Sequence, residues 1–539
     1  MNNNPERSAT MSTIAVCRSV TLALGALFAL VVLGMTQALA TGNNSSQADG
    51  QDFDAIDAYV EEQMQEMRIP GAALGIVKGD KIVHLEGFGD ADDSGREVTP
   101  QTPFKIGSTS KSFTALAIMQ LVEEDKVKLD APVQSYIPWF RVADAEASSR
   151  ITVRHLLNQT SGIPTVAGVA YAYKGDSGKD ALEKEVRAAR DVELAHPPGK
   201  VMQYSNLNYS TLGLIVQMVS GVSYEQYVKE HVLTPLGMKN SFMFLPEAQR
   251  HGLATGHQFW FGRPFPGGGL VYNRAITPTG LITSDAQDMS RYLIAHLNGG
   301  HYDGARVLSS EGIAELHRGA ANMGQSDESY AMGWIEGEIH GVPVVWHNGD
   351  TGDFHATMIL VPKSKWGVVL LMNGSDDLRG SMDTTANGVV ARLVGVEPPP
   401  PPGLLQEPFL VILLVILAVG ALQALGIVRS VVLIRRWRTH PAGRPSGVVR
   451  VGLRVVTPLV LNLLWAVILF VVLPHFVGVP LWVVASPRSD LGLVVLLSGG
   501  VALIWGVVLR PVLALLALRT KISSGDTGTP DRARARVPA

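Results

Sequence analysis

The sequence predicts an α/β (α+β) domain, in which an antiparallel sheet is flanked by helices and joined by an all-helical lobe. Three transmembrane helices are expected to follow it. Three observations carry this expectation. Strand patterns stand at both ends of the globular region. Ala72–Val77 and Lys81–Phe88 read as a hairpin around Gly79-Asp80, and Val342–Trp346, Ala356–Val361 and Gly367–Met372 read as three more strands, with a tight turn at Lys363-Ser364-Lys365. Between these ends the patterns are helical, as in Ser112–Val122, Val153–Leu157 and Leu207–Val219. Strands at both ends with helices between imply that the two ends pair in one sheet, while the middle supplies the flanking helices and the second lobe. Finally, the chain turns almost wholly apolar beyond a proline run, Pro398–Pro402.

That last change explains a bulk property. Mean hydropathy is +0.18 although 17% of the 539 residues are charged, so the apolar excess is concentrated rather than spread. Residues 1–40 read as a secretory signal: Arg7 and Arg18 precede the apolar run Leu22–Met35, and Ala38-Leu39-Ala40 offers a small-x-small cleavage site. The run is short for a full span, which favours cleavage over an uncleaved anchor. Residues 41–396 form the globular domain, with a loose polar start at Asn43–Asp54. Residues 397–403 form a stiff, extended proline-rich linker. Within 404–520 three segments, 409–428, 455–473 and 491–509, are each long and apolar enough to cross a bilayer. Residues 521–539 form a basic tail.

The charges orient these segments. Arg429, Arg435, Arg436, Arg438, Arg444, Arg450 and Arg454 follow the first span, and Arg519, Lys521, Arg532, Arg534 and Arg536 follow the third. The loop between the second and third holds only Arg488 beside Asp490. The positive-inside rule places the arginine-rich loop and tail in the cytoplasm. The globular domain then faces outward from a multi-pass membrane protein, on the periplasmic or extracellular side, with the lipid bilayer as one partner. The single cysteine, Cys17, lies before the signal's apolar run, so the exported domain carries no disulfide. A net charge of −3 argues for neither a nucleic-acid partner nor a strongly acidic one.

Three short motifs carry chemistry. In Ser108-Thr109-Ser110-Lys111 a hydroxyl and an amine sit three residues apart at the start of an apolar helix, on one face. A helix N-terminus offers free N–H groups to an oxyanion, and burial would lower the proton affinity of Lys111 so that it can help take the serine proton. Alone, Ser-x-x-Lys more often marks a solvated helix face, and Ser110 or Ser112 could cap the helix instead. Tyr204-Ser205-Asn206 follows the breakers Pro197-Pro198-Gly199 and offers a phenol and an amide on a loop. His347-Asn348-Gly349 ends a strand; the histidine could steady the tyrosine or, if protonated, bind a substrate carboxylate, and the glycine admits close approach of a backbone. His355 is a second candidate there, of structural character. The spacing of His84, His155, His196, His251 and His257 matches no metal-ligand pattern, so neither metal nor cofactor is expected.

These blocks together resemble the serine β-lactamase and penicillin-binding protein superfamily, in its class C β-lactamase-related branch of DD-peptidases, D-aminopeptidases and esterases. The likeness covers Phe53 to Leu393. It rests on Phe104–Lys111 (FKIGSTSK), Ile151–Pro164 (ITVRHLLNQTSGIP), Pro198–Tyr209 (PGKVMQYSNLNY), Pro235-Leu236-Gly237-Met238 and Thr279–Met289 (TGLITSDAQDM). The resemblance implies a β-lactamase/transpeptidase-like fold and a set of roles. Ser108 would be the acylated nucleophile, Lys111 its partner and Tyr204 the general base or part of it. Asn206 would be a substrate contact, and Asp350, just after Gly349, the second backbone oxyanion donor. His347 stands where many β-lactamases carry the lysine of a Lys-Thr-Gly motif, which argues against efficient β-lactam hydrolysis. The expected function is that of a membrane-anchored extracytoplasmic serine hydrolase acting on amide or ester bonds of a peptide or small-molecule substrate, D-amino-acid peptides of the cell wall among them. An esterase of small esters and a non-catalytic binding or sensor module are the alternatives.

Overall fold

Alternation along the strands divides the domain into two layers of core. In the computed structural model, β1 (Gly71–Lys78) sends Ala73 and Val77 to one face and Ala72, Leu74 and Ile76 to the other, and both sets are fully buried. A strand apolar on both faces needs cover on both. On the front, the helical lobe and α4 (Ala286–Leu297) supply it. Gly75 lets α4 approach, since a Cβ there would lie 2.3 Å from Ser290 Oγ. On the back, α1 (Phe53–Met67) contributes Ile56, Val60 and Met64, one helical stripe, and α5 (Asp383–Val394) contributes Ala386, Val389, Val390 and Leu393. The structure describes residues 52–172, 175–260, 262–267, 271–324, 327–375, 382–397, 408–440, 457–477, 481–485 and 490–509.

The sheet has eight strands in the order β2-β1-β8-β7-β6-β5-β4-β3. They are β1, β2 (Lys81–Gly89), β3 (Ala321–Asn322), β4 (Ser329–Tyr330), β5 (Ile335–Ile339), β6 (Val342–Asp350), β7 (His355–Val361) and β8 (Trp366–Met372). β1 pairs antiparallel with β8, Ala72 opposite Met372, so the two ends of the domain meet in one sheet as the sequence predicts. The helical expectations also hold, as α2 (Ser110–Glu123), Val153–Leu157 and α3 (Asn206–Ser220). Two features differ. Phe53 and Asp54, expected to belong to a loose start, open α1, for which the Asp52 side chain accepts from Ala55 N as the N-cap. β6 does not end at Trp346 but runs through the His347-Asn348-Gly349 motif to Asp350, because its pairing with β7 continues after β5 has left its other edge.

Beyond the domain, among the described residues, two helices are long and apolar enough to cross a membrane, Val411–Val432 and Thr457–His475. The third expected span falls on a continuous helical run, Asp490–Val501 followed by Ala502–Leu509, within which the apolar helix Gly492–Gly506 is shorter than the other two. Polar side chains join the three. Ser498 Oγ donates to Gln423 Oε1 at 3.2 Å, Gln423 Nε2 to Asn462 Oδ1 at 3.3 Å and Trp465 Nε1 to Ser498 Oγ at 2.9 Å. In an apolar setting such bonds hold helices together where the hydrophobic effect cannot. The expected signal segment, most of the proline linker, much of the arginine-rich loop and the basic tail lie outside the described residues.

Candidate active site

The nucleophile motif is lifted into place by a tight bend. Phe104–Lys105 pairs with Thr283–Ser284, and the chain then turns at Gly107, whose φ of 53° suits glycine. A short 3-10 turn, Gly107–Thr109, holds half-buried Ser108 at the entrance to α2. Residues three apart eclipse in such a turn, so Lys111 comes to lie beside Ser108. α2 is buried around most of its circumference, and its polar first turn is satisfied internally. Ser110 Oγ accepts from Ile282 N at 3.3 Å, and Ser112 Oγ donates to Thr109 O at 2.8 Å. Neither serine caps the helix, which removes that alternative.

Lys111 is fully buried. Its Nζ lies 3.0 Å from Ser108 Oγ and donates at 2.7 Å to Thr279 O. Burial holds the amine well below the usual lysine range. The Tyr204 ring stands 4.8 Å from the same Nζ, and its buried hydroxyl has no hydrogen-bond partner. Burial, with Tyr330 adding to it, pushes that phenol well above its ordinary value, and nearby Ser108 only partly offsets the shift. Burial thus disfavours the charged form of each, the ammonium of Lys111 and the tyrosinate of Tyr204. Asn206 opens α3, with its buried Oδ1 unpartnered.

His347 and Gly349 point to the front of the sheet, while Asn348 and Asp350 point to the back. Gly349 is pressed against the nucleophile turn: a Cβ there would lie 2.1 Å from Ile106 O and 2.7 Å from Ser108 N. A Cβ on Gly107 would in turn lie 2.5 Å from Asp350 N. Thr351 N donates to Phe354 O at 3.1 Å. By antiparallel alternation, Asp350 then turns its own N–H away from β7, toward the open edge beside Gly107. The N–H groups of Ser108 and Asp350 thus flank one small space, the arrangement an oxyanion needs.

His347 departs from one expectation. It is 2% exposed, its Nδ1 lies 2.5 Å from Asn348 O and its Nε2 lies 3.4 Å from Tyr330 OH. A carbonyl only accepts, so Nδ1 carries the proton and Nε2 faces the tyrosine as acceptor. Burial is the largest cause that lowers the imidazole, to about 4. Before a carboxylate is bound, the protonated form that would bind it is therefore disfavoured.

Several residues that support this geometry receive no role from sequence reasoning. Gln159 is fully buried at a left-handed φ of 57°. Its backbone carbonyl accepts from Gln203 N at 2.8 Å and its side chain from Ser205 N at 2.9 Å, so it grips the chain on both sides of Tyr204. Tyr330 meets both the Tyr204 and His347 rings edge to face, with centroids 5.9 Å away in each case. Lys105 and Asp353 form a buried ion pair at 2.7 Å, tying the segment before Ser108 to the turn after Asp350. The Gln159 block is visible in the sequence, but nothing local marks Tyr330. Away from the site, His84 meets Asp57 at 2.8 Å, with Glu86 close by; that grouping joins different elements and leaves no spacing signature.

A buried amine beside a serine at a helix entrance, facing a phenol and the open edge of an antiparallel sheet, defines a serine acyl-transfer fold. The chain belongs to the serine β-lactamase and penicillin-binding protein superfamily of serine hydrolases, and its residues 56–391 match the Beta-lactamase family. It is 32% identical over 321 residues to Protein flp of Staphylococcus aureus strain MW2, which covers 59% of this chain and 62% of that protein. It is 33% identical over 351 residues to Penicillin-binding protein 4 of Amycolatopsis lactamdurans, covering 64% of this chain and 91% of that one. The fold is similar to that of the octameric penicillin-binding protein homologue from Pyrococcus abyssi. The TM-score is 0.58 at 31% identity, over 64% of this chain and 78% of the other. The chain thus spans 62% of the length of the Flp protein it matches.

Proposed function

We propose that the protein is a membrane-anchored, outward-facing serine hydrolase that acts through a Ser108 acyl-enzyme on amide or ester bonds. The observation that carries this is the contact between Ser108 Oγ and a buried Lys111 Nζ whose other partner is a backbone carbonyl. With one N–H given to Thr279 O, the neutral amine keeps a lone pair for the serine proton. Ser108 Oγ attacks the carbonyl carbon as its proton passes to Lys111 Nζ. The oxyanion accepts from the N–H groups of Ser108 and Asp350. Collapse expels an alcohol or amine, which takes a proton from Lys111 with the Tyr204 phenol as relay. Water, activated by the same amine, then releases the acyl group.

Neutral His347 favours bonds whose surroundings carry no free carboxylate, such as esters and internal amides, over β-lactams and peptides ending at the scissile residue. Cell-wall peptides with D-residues remain within this class where the carboxylate is blocked or distant. The two membrane-length helices, the positive flanks of the apolar segments and the N-terminal export pattern support an anchored domain on the outer face.

The test is to treat membranes bearing the full chain with a serine-directed phosphonate. The expected result is a single adduct on the peptide containing Ser108, absent from Ser108→Ala. No labelling, or equal labelling of the two proteins, supports the alternative of a non-catalytic binding module.

A further inference from the structure

The back of the sheet, directly behind the proposed oxyanion edge, holds a charged cluster in an otherwise apolar layer. Asn348 and Asp350 on β6 and His355 and Thr357 on β7 all point there, since Asp350 opposes His355 and Asn348 opposes Thr357. They converge on Asp383, the first residue of α5. His355 Nε2 lies 2.9 Å from Asp383 Oδ1, and Thr357 Oγ1 donates to the same oxygen at 2.7 Å. Asn348 Nδ2 donates to Asp383 Oδ2 at 2.7 Å. On its other side His355 Nδ1 lies 3.6 Å from Asp350 Oδ2, an oxygen that also accepts from Ser375 Oγ. Burying the Asp383 carboxylate and an imidazole among aliphatic side chains is unfavourable unless each is paired and bonded, and here each is, while Asp350 remains partly open to solvent at the rim.

The position of the cluster gives that arrangement a use. The same two residues whose side chains enter it, Asn348 and Asp350, flank Gly349, and the peptide of Gly349 and Asp350 lies against Gly107 and Ser108. β5 does not cover this end of β6, so its open edge has no neighbouring strand to fix it. We propose that His355 and Asp383 are positioning residues for the second oxyanion donor, holding the end of β6 against the nucleophile turn from the far side of the sheet. This rests on the Ser108 acyl-enzyme reading for its catalytic consequence, though not for its structural one.

The charge state agrees with the geometry. Asp383 and Asp350 overcome the burial of His355 and raise it to about 10, so the ring is an imidazolium at neutral pH. Those two carboxylates are the charged groups that face it, from α5 and from β6; its cross-strand neighbour on β8 is Met372. The clamp therefore works below its raised value and is lost as pH climbs through about 10.

The experiment uses the full-length protein and two variants, His355→Gln and Asp383→Asn, with hydrolysis of a neutral ester, Ser108 labelling and amide exchange of residues 348–351 as readouts. Asp383→Asn keeps the shape and most hydrogen bonds, so it serves where His355→Gln fails to fold. The expected result is a kcat at least about tenfold lower with little change in KM, and faster exchange at 348–351 without a global rise. In Asp383→Asn the alkaline limb of the rate should also move down from near 10 by a unit or more. Unchanged exchange in folded variants, or an alkaline limb that stays in place, overturns the proposal. If the wild type itself fails to label at Ser108, the acyl-enzyme reading falls, while exchange at 348–351 still decides whether the clamp exists.

Discussion

The two faces of the sheet at the end of β6 are built from similar residues and hold opposite charge states. On the front, His347 is buried against a carbonyl, a tyrosine and a lysine, and lies at about 4. On the back, eight residues on, His355 is equally buried but faces two carboxylates, and lies at about 10. Burial alone drives both toward the neutral form; only the partner decides the outcome. The front is thereby a site of neutral donors and acceptors, suited to moving one proton among Ser108, Lys111 and Tyr204. The back is a fixed ionic clamp, suited to holding a shape.

Substitutions should break the front more severely than the back. Lys111→Met removes the base, and a loss of about 10²–10⁴-fold in kcat is expected from steady-state kinetics, with folding checked by circular dichroism. Asp353→Ala leaves Lys105 buried and unpaired between the two regions. A loss of about 3–5 kcal/mol should appear in denaturant unfolding. His347→Lys sharpens the contrast by adding a cation to the neutral face. Relative kcat/KM for a carboxylate-bearing ester over its neutral analogue should rise about tenfold or more. His347→Gln keeps a donor for Asn348 O and an acceptor for Tyr330. It should cost about tenfold or less, since one hydrogen bond is worth about 1 kcal/mol net.

The pH profile joins the two faces. Lys111 serves as base only when neutral, so the rate should rise with pH through its lowered value, level, and fall again on an alkaline limb near 10 as His355 loses its charge. His355 contributes stability that is fully present below its ordinary value of 6.5 and is lost as pH rises through about 10. The melting temperature should therefore decline on that alkaline side, and this decline should be weaker in Asp383→Asn.

The sequence made the front face largely legible because each of its parts is a short local motif at the end of an element: Ser108 and Lys111 at a helix start, Tyr204 before α3, His347 to Asp350 at a strand end. What it withheld is what tertiary register creates. Tyr330 carries no local signature and joins the site only because β4 and β5 bring it beside His347. Asp383 meets His355 through a helix that sequence patterning did not mark. Nor does the chain distinguish the charge of His347 from that of His355, because the deciding neighbours, Asn348 O in one case and Asp383 in the other, differ by which way a strand residue points. The fold was readable from its sheet and central helices. α1 was missed because its start runs on from a polar stretch, although Ile56, Val60 and Met64 give it a clear helical stripe.

The central claim is that Ser108 becomes acylated with neutral Lys111 as its base. The direct measurement is intact mass and peptide mapping after rapid mixing with a slowly deacylating neutral ester, across a pH series. The account predicts an acyl adduct confined to the Ser108 peptide, whose rate of formation falls as pH drops below the lowered Lys111 value, and no adduct in Ser108→Ala. An adduct elsewhere, an equal adduct in Ser108→Ala, or acylation that persists undiminished in Lys111→Met would contradict it.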